Sequence, residues 1–273
     1  MAQLDHQTSP LAPSTGVAPS VLDGRGTQLP SSGYAAQSAA LSPSAQGYEQ
    51  GAEAVRTGAN DALAANRPLP AQYAGRSAAF RIGYRDGMSQ GEAGLRTIED
   101  DARTQQAISG ASAKTGVEAD DLTAMAIIES TGNRNVGTNA YGYSGLMQMG
   151  SDAARDLGMS YSGMKGGANV NNNALAGARY WELNDQRLDP GVPRDPLHMY
   201  LAHQQGAGGT NTLMRGLKTN PKAAANSAQR NNVPSTLRRQ LGRPITRQDF
   251  YDYWQGKMTA IQDTIAARRN PTA

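Results

Sequence analysis

The chain has 273 residues, of which 38% are hydrophobic, and a formal net charge of +3. A globular chain typically carries ~45–50% apolar residues, a count that includes the Gly left out of this one, so the share argues against one uniformly packed 273-residue body without excluding it. With no cysteine there is no disulfide framework, thiolate zinc site or Cys nucleophile. No stretch approaches the ~18 consecutive apolar residues of a membrane-spanning helix. The first residues, Met1-Ala2-Gln3-Leu4-Asp5-His6, have neither a basic leader nor an apolar core, and no secretion signal is expected. Charge is uneven: residues 179–273 hold 14 Lys/Arg against 7 Asp/Glu. That +7 third reads first as a solvated face and second as a surface for an anionic polymer.

In chain order, residues 1–70 are rich in Ala, Ser, Pro, Gly and Gln, with Tyr34 and Tyr48 as the only aromatics. Such a segment buries too little apolar surface to offset chain entropy, and an extended docking arm is predicted. Gly47-Tyr48-Glu49-Gln50-Gly51 is echoed by Gly83-Tyr84-Arg85-Asp86-Gly87, but two copies do not make a repeat architecture. Residues 71–99, with Phe80 and Tyr84, read as a linker or docking segment. Capped helices follow: Asp100–Lys114 closed by Gly116, Asp120–Ser130, Ser151 to Gly158, Asn169 to about Leu188, and one capped by Asp195 with Pro196 as its first residue. The last helix begins at a capping-box-like Thr246/Asp249 pair. It carries an apolar stripe of Phe250, Trp254, Met258, Ile261 and Ile265, and ends in Arg268-Arg269. No strand run is convincing. The predicted class is mainly α, with a catalytic body over 100–245 and an amphipathic helix over 246–273 packed on it.

Chemistry enters at the helix from Asp120 to Ser130. Leu122, Met125 and Ala126 define one face, and its i+7 position is Glu129. Burial and the negative end of the helix both disfavour a carboxylate there, raising its pKa as a general acid requires. A buried structural Glu paired with an amide or Arg is the competing reading.

Downstream lie Tyr141-Gly142-Tyr143-Ser144-Gly145-Leu146-Met147-Gln148-Met149 and Tyr200-Leu201-Ala202-His203-Gln204-Gln205-Gly206-Ala207-Gly208-Gly209. With Glu129-Ser130 these blocks resemble lytic transglycosylases of the soluble-lytic-transglycosylase (SLT) type, which have a goose-lysozyme-like fold, over roughly residues 100–235. The resemblance implies that Glu129 is the single acid/base acting on peptidoglycan glycan strands. It would protonate the bond between N-acetylmuramic acid and N-acetylglucosamine, then deprotonate the muramoyl C6 hydroxyl, giving a 1,6-anhydro product. It further implies that Gln148 bonds glycan and that Ser130 supports the acid. Tyr143, Met147 and Met149 would line the cleft, with core packing as the other reading for the methionines. Neither a metal nor a cofactor is implied; His198 and His203 are five apart with no carboxylate cluster beside them.

Two departures stand out. Asn139 occupies the place where the family often has a Ser near the substrate N-acetyl group, and His203-Gln204 replaces the third block's Tyr-Asn; all three remain candidate substrate contacts. Of the later aromatics, Trp254 reads best as core. Competing readings are a goose-type hydrolase, for which Asp152 or Asp156 would have to position water, and a non-catalytic structural virion adaptor on the same fold. The leading expectation is an enzyme carried by a phage virion, at a tail tip, spike or baseplate or ejected at infection, and acting in the host periplasm. The arm would dock on other virion proteins; nucleic-acid binding is not expected.

Overall fold

The computed structural model describes residues 68–270, so the predicted arm lies outside the described residues except for its last three positions. Nine helices make up the described part: α1 (Ala78–Glu99), α2 (Ala102–Thr115), α3 (Ala119–Ser130), α4 (Ser151–Asp156), α5 (Val170–Arg187), α6 (Pro196–Thr219), α7 (Ser227–Asn231), α8 (Ser235–Leu241) and α9 (Arg247–Arg269). Among the described residues pairing of the β type is limited to two isolated bridges, Ser144 with Met149 and Ala224 with Thr246.

The helix ends follow the chemistry of their caps. The Asp101 side chain accepts from the Arg103 N–H at the start of α2, and Gly116 closes that helix in the left-handed region at φ 76°. Asp195 accepts from the His198 N–H ahead of Pro196, and Thr246 with Asp249 forms a complete capping box on α9. Gly150, not Ser151, is the residue preceding α4, and Asn169 precedes α5 without a side-chain cap bond.

Residues 71–99 depart from the reading as a linker or docking segment. Residues 78–99 form a 22-residue helix that runs parallel to α9 and packs tightly along it. A Cβ on Gly83 would lie 2.0 Å from the Tyr253 carbonyl oxygen, and one on Gly256 would lie 2.1 Å from that of Phe80, so only hydrogen fits between the two backbones. Gly83 and Gly87 of the echoed pentapeptide both lie in this seam. Polar groups lace its flanks. Tyr84 Oη donates to Asp263 at 2.8 Å, Tyr253 Oη to Asp86 at 2.9 Å, and Arg268 forks onto the Glu99 carboxylate.

Helix α3 is the centre of the body. Leu122, Met125, Ala126 and Ile127 are wholly buried, and the α9 stripe of Phe250, Trp254, Met258, Ile261 and Ile265 belongs to the same core. No described helix is long and apolar enough to cross a membrane.

Candidate active site

Glu129 is the penultimate residue of α3, and its side chain is fully buried. The helix stops because Thr131 (φ 53°) and Gly132 (φ 73°) enter the left-handed region, turning the chain away from the helix axis. Gln90, on α1, completes this end: its Nε2 donates to the carbonyls of Ile127 at 2.7 Å and Ile128 at 3.1 Å. Both belong to the last turn, where carbonyls run short of intrahelical partners; that of Ile127 also accepts from the Thr131 N–H at 2.9 Å. The acid is thus held from outside the catalytic blocks.

The second block forms a tight turn closed by the reciprocal Ser144–Met149 backbone bonds, both 3.1 Å. Gln148 sits in it at φ 43°, an uncommon conformation for a residue with a side chain, and its Nε2 donates to the Gly145 carbonyl at 2.8 Å. Asn173 of α5 clamps the turn from beneath. Its Oδ1 accepts from the Met147 N–H at 2.7 Å, and its Nδ2 donates to the carbonyls of Ser144 and Met164 at 2.9 and 3.0 Å. A Cβ on Gly145, at φ 78°, would lie 2.7 Å from that Nδ2, so this position needs glycine on two counts.

Helix α6 carries the third block and breaks within it at Gly206 (φ 72°, ψ 157°), leaving His203, Gln204 and Gln205 at the end of its first half. The cleft between these parts is lined by Tyr141, Tyr143, Gln148, Met149, Tyr180, His203 and Gln204, with Gly150 to Ala153, Gln205, Gly206, Ala228 and Asn232 around them. Glu129 is not on its wall; it lies beneath, with His203 Nε2 3.7 Å from its Oε1.

Burial pushes the Glu129 carboxyl well above its ordinary range, while the neighbouring Tyr200 hydroxyl and the more distant Lys257 ammonium oppose the rise. Its place at the negative end of α3 acts in the same direction as burial. Glu129 is therefore an acid that keeps its proton where an exposed glutamate has lost it. Burial lowers His203 to about 4, against the pull of the Met147 carbonyl, so its imidazole is neutral at ordinary pH.

The expected site residues divide into three groups. Tyr143, Gln148, Met149, His203 and Gln204 reach the cleft. Glu129 lies directly under it. Ser130, Asn139 and Met147 stand off its wall. Ser130 Oγ donates to the Ala126 carbonyl at 3.0 Å, the back-bond open to any helix-end serine. Asn139 Oδ1 accepts from the N–H groups of Tyr141 and Tyr143 at 2.9 and 3.0 Å, and its Nδ2 stands 3.5 Å from Gln148 Oε1, so it shapes the loop behind Gln148. Met147 is fully buried against Gly177. Tyr141 and Tyr180 on the wall, and Gln90 and Asn173 behind it, were not singled out by the motifs. Among the described residues no group of three or more His, Asp or Glu is placed to hold a metal ion.

A comparison with curated proteins finds no match. Residues 106–226 match the family model of the transglycosylase SLT domain, a stretch that contains Glu129, the Gln148 turn and the His203 block. The helical, lysozyme-like body therefore carries an SLT domain, whose family members are lytic transglycosylases that act on peptidoglycan.

Proposed function

We propose that Glu129 alone serves as acid and then base in cutting the β-1,4 bond between N-acetylmuramic acid and N-acetylglucosamine, leaving a 1,6-anhydro end. The observation that carries this reading is a single buried, proton-retaining carboxyl beneath the cleft. Its proton passes to the glycosidic oxygen as the C1–O bond breaks. The resulting carboxylate accepts the proton of the C6 hydroxyl as that oxygen bonds to C1, so no water is consumed and Glu129 ends protonated as it began. Among the described residues the cleft wall itself holds one carboxylate, Asp152, whose side chain is 59% exposed and paired with Arg155 at 2.9 Å. An inverting or retaining hydrolase needs a second carboxyl held at a defined separation from the first. Asp152, tied to solvent and to Arg155, is poorly held for that task. Mass spectrometry of digested peptidoglycan tests the reading: anhydro ends are expected, and reducing ends would transfer the role of base to a water-activating carboxylate.

We further infer that a phage virion carries the enzyme to the host cell wall through residues 1–70. The support is their Ala/Ser/Pro/Gly-rich composition, which suits a segment ordered by partners. Deleting 1–67 is expected to leave glycan cleavage intact and to abolish incorporation into particles; normal incorporation of the shortened protein would rule this out.

A further inference from the structure

Glu129 is sealed from the cleft, and the residue between them is the one at which the third block departs from the family pattern. His203 Nε2 stands 3.7 Å from Glu129 Oε1, with side-chain exposures of 3% and 0%. Neither carboxyl oxygen and neither ring nitrogen makes a hydrogen bond of full geometry. A shift of ~0.5–1 Å closes the gap, and hydrogen bonds of catalytic groups are commonly long before substrate arrives. The ring itself is well located, edge-on to Tyr180 at 5.8 Å between centroids and stacked on Tyr200 at 6.4 Å.

We propose that His203 is a positioning residue for Glu129, its imidazole nitrogen accepting the hydrogen bond of the protonated acid and keeping the carboxyl aimed at the cleft floor. The two groups fit in proton count. A protonated carboxyl has one proton to donate, and a neutral imidazole has one bare nitrogen to accept it. Burial keeps the ring neutral, with one N–H and one nitrogen left bare for the acid's proton. The other groups around the acid are Tyr200 on α6 and Lys257 on α9, which favour the carboxylate, and Tyr143, which feels its charge from the loop before α4. Of these, a neutral imidazole nitrogen is the acceptor that favours the acid form.

The inference rests on Glu129 being the acid, and its test separates the two. The pH–rate profile of peptidoglycan clearing is measured for the wild type, Glu129→Gln, His203→Phe and His203→Gln, with thermal unfolding recorded on each. An acceptor lost from the acid form lowers the Glu129 pKa, so His203→Phe should move the alkaline limb toward acid by about half a unit to one unit, a three- to tenfold loss on that side. His203→Gln, whose amide oxygen still accepts, should keep the limb in place. If the Phe variant does not fold, His203→Ala takes its part in the comparison. An unmoved limb in the variant without an acceptor, or equal shifts in that variant and His203→Gln, overturns the role of His203 while inert Glu129→Gln leaves the acid assignment standing. Cleavage by Glu129→Gln overturns the acid assignment itself.

Discussion

Gln90 Nε2 donates to the carbonyl of Ile127 at 2.7 Å, tying α1 to the last turn of α3 two residues before Glu129. The bond crosses from a helix outside the matched SLT stretch to the helix that carries Glu129. Replacing Gln90 with Leu keeps the volume and removes a donor from both buried carbonyls, leaving that of Ile127 only the Thr131 N–H, a cost of ~1–3 kcal/mol. Because a misplacement of ~1 Å can lower a rate 100-fold, the turnover of Gln90→Leu should fall more than tenfold while its fold survives. Denaturant unfolding and peptidoglycan clearing on the same sample check both halves of this expectation.

The buried acid also carries a signature in stability. A carboxyl whose folded pKa is raised binds its proton more tightly folded than unfolded, so its contribution is complete below the unfolded value, near 4.3, and declines as pH rises toward the folded value. Burial raises Glu129 in this sense. Glu129→Gln should therefore melt higher than the wild type at pH 8 and approach it at pH 4.5. With ~2–4 °C per kcal/mol for a body of this size, a gap of several degrees at pH 8 is expected by calorimetry. Equal gaps at both pH values would mean that the carboxyl gains no proton on folding.

How far the motifs reach is seen by comparing residues on the two sides of the cleft floor. Glu129, Gln148 and His203 drew notice because they stand in ordered blocks, His203 as a departure from the family pattern, and the fold brings the three blocks together. Gln90 and Asn173 were not, since a residue that serves through a hydrogen bond to backbone carries no spacing of its own. Asn173 did leave a trace: it lies one helical turn from Val170 and Gly177 on the buried side of α5, where an amide has to be satisfied. The same limit explains α1. Its Gly83, Gly87, Gly91 and Gly94 lower helix propensity, yet the first three are the face that lets α9 approach and the fourth packs against Ile127 of α3. The face argument placed Glu129 in the interior, where it lies, but Ala124, Ile127, Ile128 and Ser130 are buried as well, so α3 is enclosed on nearly every side and not merely along one stripe. Ser130 and Met147 fell away from the cleft because the helix end and the core, respectively, satisfy them first.

Asn173→Ala removes three hydrogen bonds at once and leaves the Met147 N–H and the carbonyls of Ser144 and Met164 without that partner in a dry interior. About 3 kcal/mol of stability should be lost, at the high end for a single substitution. The turn holding Gln148 should loosen with it, so clearing activity is expected to fall further than the folded fraction does. Normal activity per folded molecule would show that Gln148 does not depend on the clamp.

The SLT match covers 106–226, but the main core of that stretch continues into helices outside it. Phe250, Trp254, Met258 and Ile261 of α9 are buried in one cluster with Leu122, Met125 and Ile127 of α3, and Tyr200 meets Trp254 at 5.1 Å between ring centroids. Helix α1 supplies the Gln90 cap and packs Gly94 against Ile127. Cutting at the family boundaries would expose these apolar surfaces together, and large side chains each lose ~1.5–3 kcal/mol of burial. Such a loss exceeds the ~5–15 kcal/mol by which a domain is stable. A fragment of 106–226 should therefore lack a cooperative melting transition and any clearing activity, whereas 68–270 should unfold in one step and keep it. Calorimetry on the two fragments decides the matter, and a cooperative transition in the shorter one would show that α1 and α9 are additions to the enzyme instead of parts of its core.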